Sequence, residues 1–412
     1  MNAADARELA ANFDLQDLTP GFYADPYPTY RALRDYEPVK RLRNGSFFLT
    51  RYDDLVTAYK NTKAFSSDKK LEFAPKYGPS LLYEHHTTSL VFNDPPAHTR
   101  VRRLIMGALS PRAIAEMEPA LIALVDRLLD AIEAKGKFEL IGDFASAIPV
   151  EVIGNLLDVP HEERGPLRDW SLAILGALEP VLSPEQFSRG NEAVKDFLIY
   201  LEDLVARRRA RPGNPERDVL TRLIQGETHG EGNGERLSEK ELLHNCIFLL
   251  NAGHETTTNL IGNGLVALLQ HPAEKRRLLQ APELIRTAVE EILRYESSNQ
   301  LGNRMTTERV ELGGITLEPG TFVTLCIGAA NRDPAQFEDP ERFDVTRISN
   351  KHLAFGTGAH QCAGMALARL EGAIAISRFL KRFPNYTLTG EPVRGGRVRF
   401  RGFLSVPCVV EG

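Results

Sequence analysis

Long stretches with apolar side chains three and four residues apart dominate this chain, and short runs of strand-like alternation interrupt them. Residues 114–134, 184–211 and 219–225 carry the first pattern, the spacing of one face of an α-helix. Strand-like runs fall at 39–50, 310–317, 321–327 and 398–410, each broken by Gly or Pro, too few for a large sheet. The longest predicted helix begins after Ser238, because a serine followed three residues later by Glu241 and then an apolar run is a capping box. It runs to about Gln270, where His271-Pro272 ends it. Pro282 then opens another helix through Tyr295, since proline is tolerated in a first helical turn and not inside one. Residues 226–234 (GETHGEGNG) read as a Gly-rich polar surface connection between two helical regions, and no internal repeat accompanies it.

Size and charge narrow the function. With 412 residues, 42% of them hydrophobic, the chain can bury a large core, and length alone would suggest more than one domain. A net charge of -5 gives no electrostatic reason to expect nucleic acid or an anionic membrane as partner, so a small molecule fits better. The opening MNAADARELAANFD is polar and acidic, unlike a signal peptide, and no stretch approaches the roughly 18 apolar residues of a membrane span. A cytoplasmic protein is expected. Cys246, Cys326, Cys362 and Cys408 are widely spaced with no CxxC pair, which argues against a zinc or dithiol site. Cys246, Cys326 and Cys408 sit among apolar residues and read as packing.

Cys362 differs. It lies in Phe355-Gly-Thr-Gly-Ala-His360-Gln-Cys362-Ala-Gly364, ahead of the helical pattern MALARLEGAIAISRFL. Gly356, Gly358 and Gly364 allow tight turns and close approach of a flat cofactor, and a helix N-terminus near the sulfur favours the thiolate. A dinucleotide fingerprint is excluded, since Gln361 stands where a third glycine or alanine belongs. In the long helix, Ala252-Gly253-His254-Glu255-Thr256-Thr257 interrupts an apolar run with a glycine, an acid and two hydroxyls, a poor choice for helix stability and so a mark of function. Thr256 can bond back to the Ala252 carbonyl and, with Gly253, widen the helix. A zinc-protease reading fails because Thr258 stands where a second histidine is needed. Glu291 and Arg294 sit three apart on one helix face, where an ion pair is easy. In Asn93-Asp-Pro-Pro-Ala-His98-Thr-Arg-Val-Arg102, the Asp-Pro step opens a helix and puts His98 and Arg102 four apart on one face.

Together these segments resemble the cytochrome P-450 family, whose cysteine loop reads Phe-Gly-x-Gly-x-His-x-Cys-x-Gly and matches at every specified position. The likeness runs from Asp25-Pro26 to Arg401-Gly402-Phe403 and includes Ala330-Asn331-Arg332-Asp333-Pro334. It implies one mainly α domain over 1–412 with a small β region, binding haem b (iron protoporphyrin IX) between the long central helix and the cysteine-loop helix. The expected reaction inserts one atom of O2 into a small organic substrate. Cys362 is then the axial iron ligand and Ala252-Gly253-His254-Glu255-Thr256 the oxygen-activation motif, with Glu255 and Thr256 catalytic. His98, Arg102, Ala252, Arg304, Phe355, His360 and Gly364, with Cys362, would bind the cofactor. Glu291 and Arg294 would lock the scaffold with a third basic residue, Arg342 first and Arg347 as alternative. With no flavin or iron–sulfur motif in the chain, electrons would come ultimately from NAD(P)H through a ferredoxin and ferredoxin reductase. That donor would dock near Arg100, Arg103, Arg112 and Lys351 of a monomer. A peroxide-driven enzyme and a non-catalytic haem sensor or carrier are the rival classes.

Substrate-pocket candidates lie in segments 81–92, 248–252, 297–302 and 403–404. Leu82, Phe92, Phe248, Leu301 and Phe403 could enclose a compact frame, and Tyr83, His85, Ser89, Ser298, Asn299 or Gln300 could hold a polar handle. The chain departs from the family at Ser298-Asn299-Gln300, a polar run where many members carry a proline. This favours a small aromatic acid or phenol-like compound, then a terpenoid.

Overall fold

The computed structural model describes residues 2–215, 218–228 and 237–410. Most of the expected Gly-rich connection lies outside them, and its first residues end the helix Val219–Thr228. The central helix, Glu239–Gln270, is buried on nearly all sides, as an apolar helix inside a large core must be. Its start has the expected form. The Ser238 hydroxyl accepts from the Glu241 N–H at 3.2 Å, and the Glu241 carboxylate accepts from the Ser238 N–H at 2.8 Å. Around it pack Ala147–Leu156, Leu167–Gly176, Pro184–Ala210 and, on the other flank, the cysteine helix Met365–Arg382. The helix expected from Pro282 begins as a single 3-10 turn, Pro282–Leu284, and becomes α-helical over Ile285–Tyr295.

The β structure is small and split. Five strands form the largest sheet in the order Val39–Arg41, Phe47–Leu49, Phe322–Cys326, Leu301–Thr306, Phe65–Ser66. The pairing of Phe47–Leu49 with Phe322–Cys326 is parallel, joining segments from opposite ends of the chain. The expected run at 398–410 divides into Phe403–Ser405, paired with Val393–Arg394, and Pro407–Val409, held between Lys137–Glu139 and Thr387–Leu388.

A buried ion cluster fixes the segment leading to the cysteine loop. Glu291 and Arg294 have fully buried side chains, and the guanidinium meets the carboxylate at 2.7 and 2.8 Å. Arg294 also donates to the carbonyls of Asn331, Pro340 and Arg342 at 2.7–3.0 Å. The third cation is Arg347, 3.2 Å from Glu291. Arg342 is not that cation: only its backbone carbonyl joins the cluster, while its side chain is 57% exposed and pairs with Asp344 at 2.9 Å. Asn350 Nδ2 and the Asp344 N–H fill the remaining acceptor sites of Glu291, so every charge here is compensated, as burial requires.

Candidate active site

Backbone geometry shapes the cysteine loop before any side chain acts. Gly356 (φ 62°) and Gly358 (φ 74°) sit in the left-handed region. A Cβ on Gly358 would stand 2.6 Å from the Tyr59 carbonyl oxygen, so only glycine fits there. Gly364 has φ -88° with open space beside it; its lack of a side chain widens the cavity rather than permitting a turn. The Cys362 N–H closes the loop on the Phe355 carbonyl at 2.9 Å, and the Arg369 guanidinium covers the Phe355 ring at 4.8 Å.

Cys362 is accessible, and it lines an internal cavity. The thiol is therefore reachable and yet poorly solvated. Burial pushes its pKa up, while the Gly364 N–H and the Arg102 and Arg369 cations pull it down. Burial thus opposes the helix-terminal polarity at this sulfur, and a metal cation bound to it would favour the thiolate. Among the described residues no group of three or more His, Cys, Asp and Glu could hold a metal ion. A lone cysteine suits an iron whose other bonds come from a porphyrin.

Ala252 and Thr256 line the same cavity. Thr256 Oγ1 donates to the Ala252 carbonyl at 2.9 Å, yet the helix remains α-helical throughout Glu239–Gln270, so the expected widening is absent. Instead Gly253 leaves room for a neighbour: a Cβ there would come within 2.5 Å of Ile153 Cδ1. Glu255 faces away from the cavity. Its carboxylate meets Arg397 at 2.6 Å, and burial raises its pKa against the pull of Arg397.

A basic cluster closes one end of the cavity. His98, Arg102, Arg304 and His360 all line it, and the two imidazoles stack with centroids 3.9 Å apart. Both ring nitrogens of His98, Nε2 of His360 and Nε of Arg304 have no hydrogen-bond partner in the structure. Burial, then the neighbouring cations, lowers both histidine pKa values, that of His360 to about 2. Unpartnered buried donors beside two guanidinium groups are costly without an acceptor. The two propionates of a haem would supply one, so these residues fit that group.

The substrate side divides the pocket candidates. Phe92, Phe248, Ser298, Asn299 and Leu301 line the cavity, together with His85 and Ser89. Leu82 does not: it is buried in the core beside Gly190, where a Cβ would come within 2.9 Å of it. Tyr83 is likewise outside the lining, one residue further along a helix whose cavity side is formed by His85 and His86. The Arg394 guanidinium carbon lies over Phe403, 3.9 Å from the ring centroid, and Phe400 takes the place of Phe403 in the wall. Gln300 turns to Ser297 and Tyr27. Sequence reasoning also missed Lys69, Ile153, Leu175, Leu178 and Arg399; no motif or spacing in the sequence around them marks them out. Glu371, a buried cavity-wall acid pushed up to about 8 by burial, was hidden within the helical pattern.

A single cysteine in a glycine-shaped loop, a basic cluster with unpartnered nitrogens and a threonine-bearing central helix, all on one cavity, define a haem-thiolate oxygenase. A sequence profile described as Cytochrome P450 matches residues 171–393. The chain is 36% identical over 370 residues to the biotin biosynthesis cytochrome P450 of Bacillus subtilis (strain 168), covering 89% of this chain and 91% of that one. Identity to 6-deoxyerythronolide B hydroxylase of Saccharopolyspora erythraea is 36% over 404 residues, 95% and 97% of the two chains. The fold superposes on the crystal structure of P450BioI, in complex with an acyl carrier protein ligated to hexadec-9Z-enoic acid, with TM-score 0.88 and 35% identity over 95% of this chain and 100% of that one. The chain belongs to the cytochrome P450 family. It is a haem-dependent monooxygenase that uses O2. Among the described residues no helix is long and apolar enough to cross a membrane.

Proposed function

We propose that residues 1–412 act as one cytoplasmic, monomeric domain that oxygenates a small functionalised organic molecule. Electrons would come from NAD(P)H through a ferredoxin and its reductase. The observation that carries this reading is the convergence of Cys362, Thr256, Ala252 and the His98, Arg102, Arg304, His360 cluster on one cavity. Cys362 would supply the thiolate to the iron, and the four basic residues would hold the propionates. Bound there, haem supplies the oxygen activation that no side chain can. Thr256 on the cavity wall would deliver protons, with Glu255 behind it feeding the route from the other side of the helix, and a directed route does this far better than bulk water. The purified protein should take up one haem and show, when reduced under carbon monoxide, the red-shifted band of thiolate ligation. Cys362→Ala should lose it; a retained band would reassign the ligand.

For the substrate, the wall combines Phe92, Phe248, Leu301 and Phe400 with Ser298, Asn299, His85 and Ser89. Such a lining suits an apolar frame with one polar handle. A small aromatic acid or phenol-like compound is the preferred class, then a terpenoid. Substituted phenols and benzoates should shift the haem spin state in a ligand panel. A response confined to fatty acids, or to 6-deoxyerythronolide B as in the name of one relative, would replace this class.

A further inference from the structure

Phe400 has a second role, because it also walls a smaller chamber of about 30 Å³ on the other side. This exceeds the ~10–15 Å³ that one water needs. The central helix contributes His254, Glu255, Thr258 and Asn259 to it; Arg168 and Arg397, both partly exposed, carry its wall toward solvent. Four buried polar atoms on these residues have no hydrogen-bond partner: Nδ1 and Nε2 of His254, Oε2 of Glu255 and Nδ2 of Asn259. Buried polar atoms are rarely orphaned, and when several surround one water-sized space, ordered water is the usual partner. The position of Asn259 is confined as well, since a Cβ on Gly402 would lie 1.8 Å from its Oδ1.

We infer that this chamber holds water that resupplies Glu255 with protons, and that His254 is a positioning residue passing protons to that water from solvent water at the Arg168 and Arg397 rim. This rests on Glu255 and Thr256 being the proton route into the cavity. Burial and the Arg168 cation hold His254 down to about 4, so at neutral pH its ring has one N–H donor and one acceptor nitrogen. Such a ring accepts a proton on one nitrogen while releasing one from the other. The released proton goes to the chamber water, which gives one to Glu255 Oε2. The imidazole finishes in its other tautomer and resets by exchange with solvent, so no net charge is stored.

The test uses the haem-loaded enzyme, a surrogate plant-type ferredoxin with its reductase, and NADPH, with no substrate added. Its first readout is the share of electrons recovered as hydrogen peroxide rather than water. Proton relays contribute ~10²–10⁴ in rate, and a feeder one step removed should matter less, so His254→Leu is expected to raise that share about threefold. The second readout needs no turnover: the infrared stretch of the Glu255 carboxyl group in the ferric protein, assigned by its loss in Glu255→Gln, should shift in His254→Leu. Haem content and the carbon monoxide band should stay unchanged. If His254→Leu does not fold, His254→Gln can bond the water without changing tautomer, and it should raise both the peroxide share and the solvent isotope effect. A folded His254 variant with an unmoved carboxyl band and unchanged peroxide share overturns the inference. If Thr256→Ala and Glu255→Gln leave that share unchanged too, the proton route itself fails; if they raise it while the His254 variants do not, only the chamber's role fails.

Discussion

Glu291 illustrates how much one buried carboxylate can organise. Its two oxygens accept from Arg294, Arg347, Asn350 and the backbone of Asp344, drawing one helix and the approach to the cysteine loop into a single unit. Removing Arg347 keeps the Glu291–Arg294 pair but deletes a charged hydrogen bond in a site that water cannot reach. Arg347→Ala is therefore expected to cost about 1.5–3 kcal/mol. Arg342→Ala should change stability by about 0.5 kcal/mol or less, because it deletes an exposed side chain and keeps the carbonyl that Arg294 uses. Urea titrations of the two haem-loaded variants separate these outcomes, and equal losses would return Arg342 to the cluster. The sequence spacing of Glu291 and Arg294 made their pairing legible, since helical geometry places i and i+3 side by side. Which later arginine joins them depends on the path of an irregular segment, which no periodicity encodes.

Between elements, Glu290 joins the Ile285–Tyr295 helix to the cysteine helix. It meets Arg369 at 2.6 and 2.8 Å and His352 at 3.2 Å. Burial raises the Glu290 pKa, but hydrogen bonds from His352 and Arg369 outweigh it and bring the value down to about 2 from an ordinary 4.5. A carboxylate with a depressed folded-state pKa stabilises the fold fully above its unfolded value and loses that contribution as pH falls through the folded one. Glu290→Gln should thus be less stable than the parent at neutral pH, and the gap should narrow between pH 4.5 and about 2. Denaturant midpoints of both proteins across that range provide the check; a constant gap would mean that Glu290 is not ionised in this contact. Helix starts and ends were readable because capping boxes and prolines act locally, as at Ser238 and Pro272. The strand expected at 398–410 was not, because its division between two sheets follows from partners at 137–139, 387–388 and 393–394.

Over the whole molecule, a net charge of -5 coexists with basic groups on the segments flanking the cysteine loop. Arg100 faces Glu241 at 3.1 Å and is only 17% exposed, which removes it from the proposed donor surface. Arg112 and Lys351 remain exposed. Reduction by an acidic ferredoxin should slow as salt rises, and charge reversal at Arg112 and Lys351 should slow it further. Stopped-flow reduction rates that ignore both changes would exclude electrostatic docking. The sequence by itself determined the family, the helical character, the capped central helix and the residues with distinctive chemistry, because each is written in local spacing or a short motif. Tertiary structure alone decided that Arg347 and not Arg342 completes the ion cluster, that Phe400 and not Phe403 faces the cavity, and that Glu255 turns to Arg397 beside a chamber of unpartnered polar atoms. These are relations between segments distant in the chain, set by packing and by the need to compensate buried charge, and no local pattern carries them.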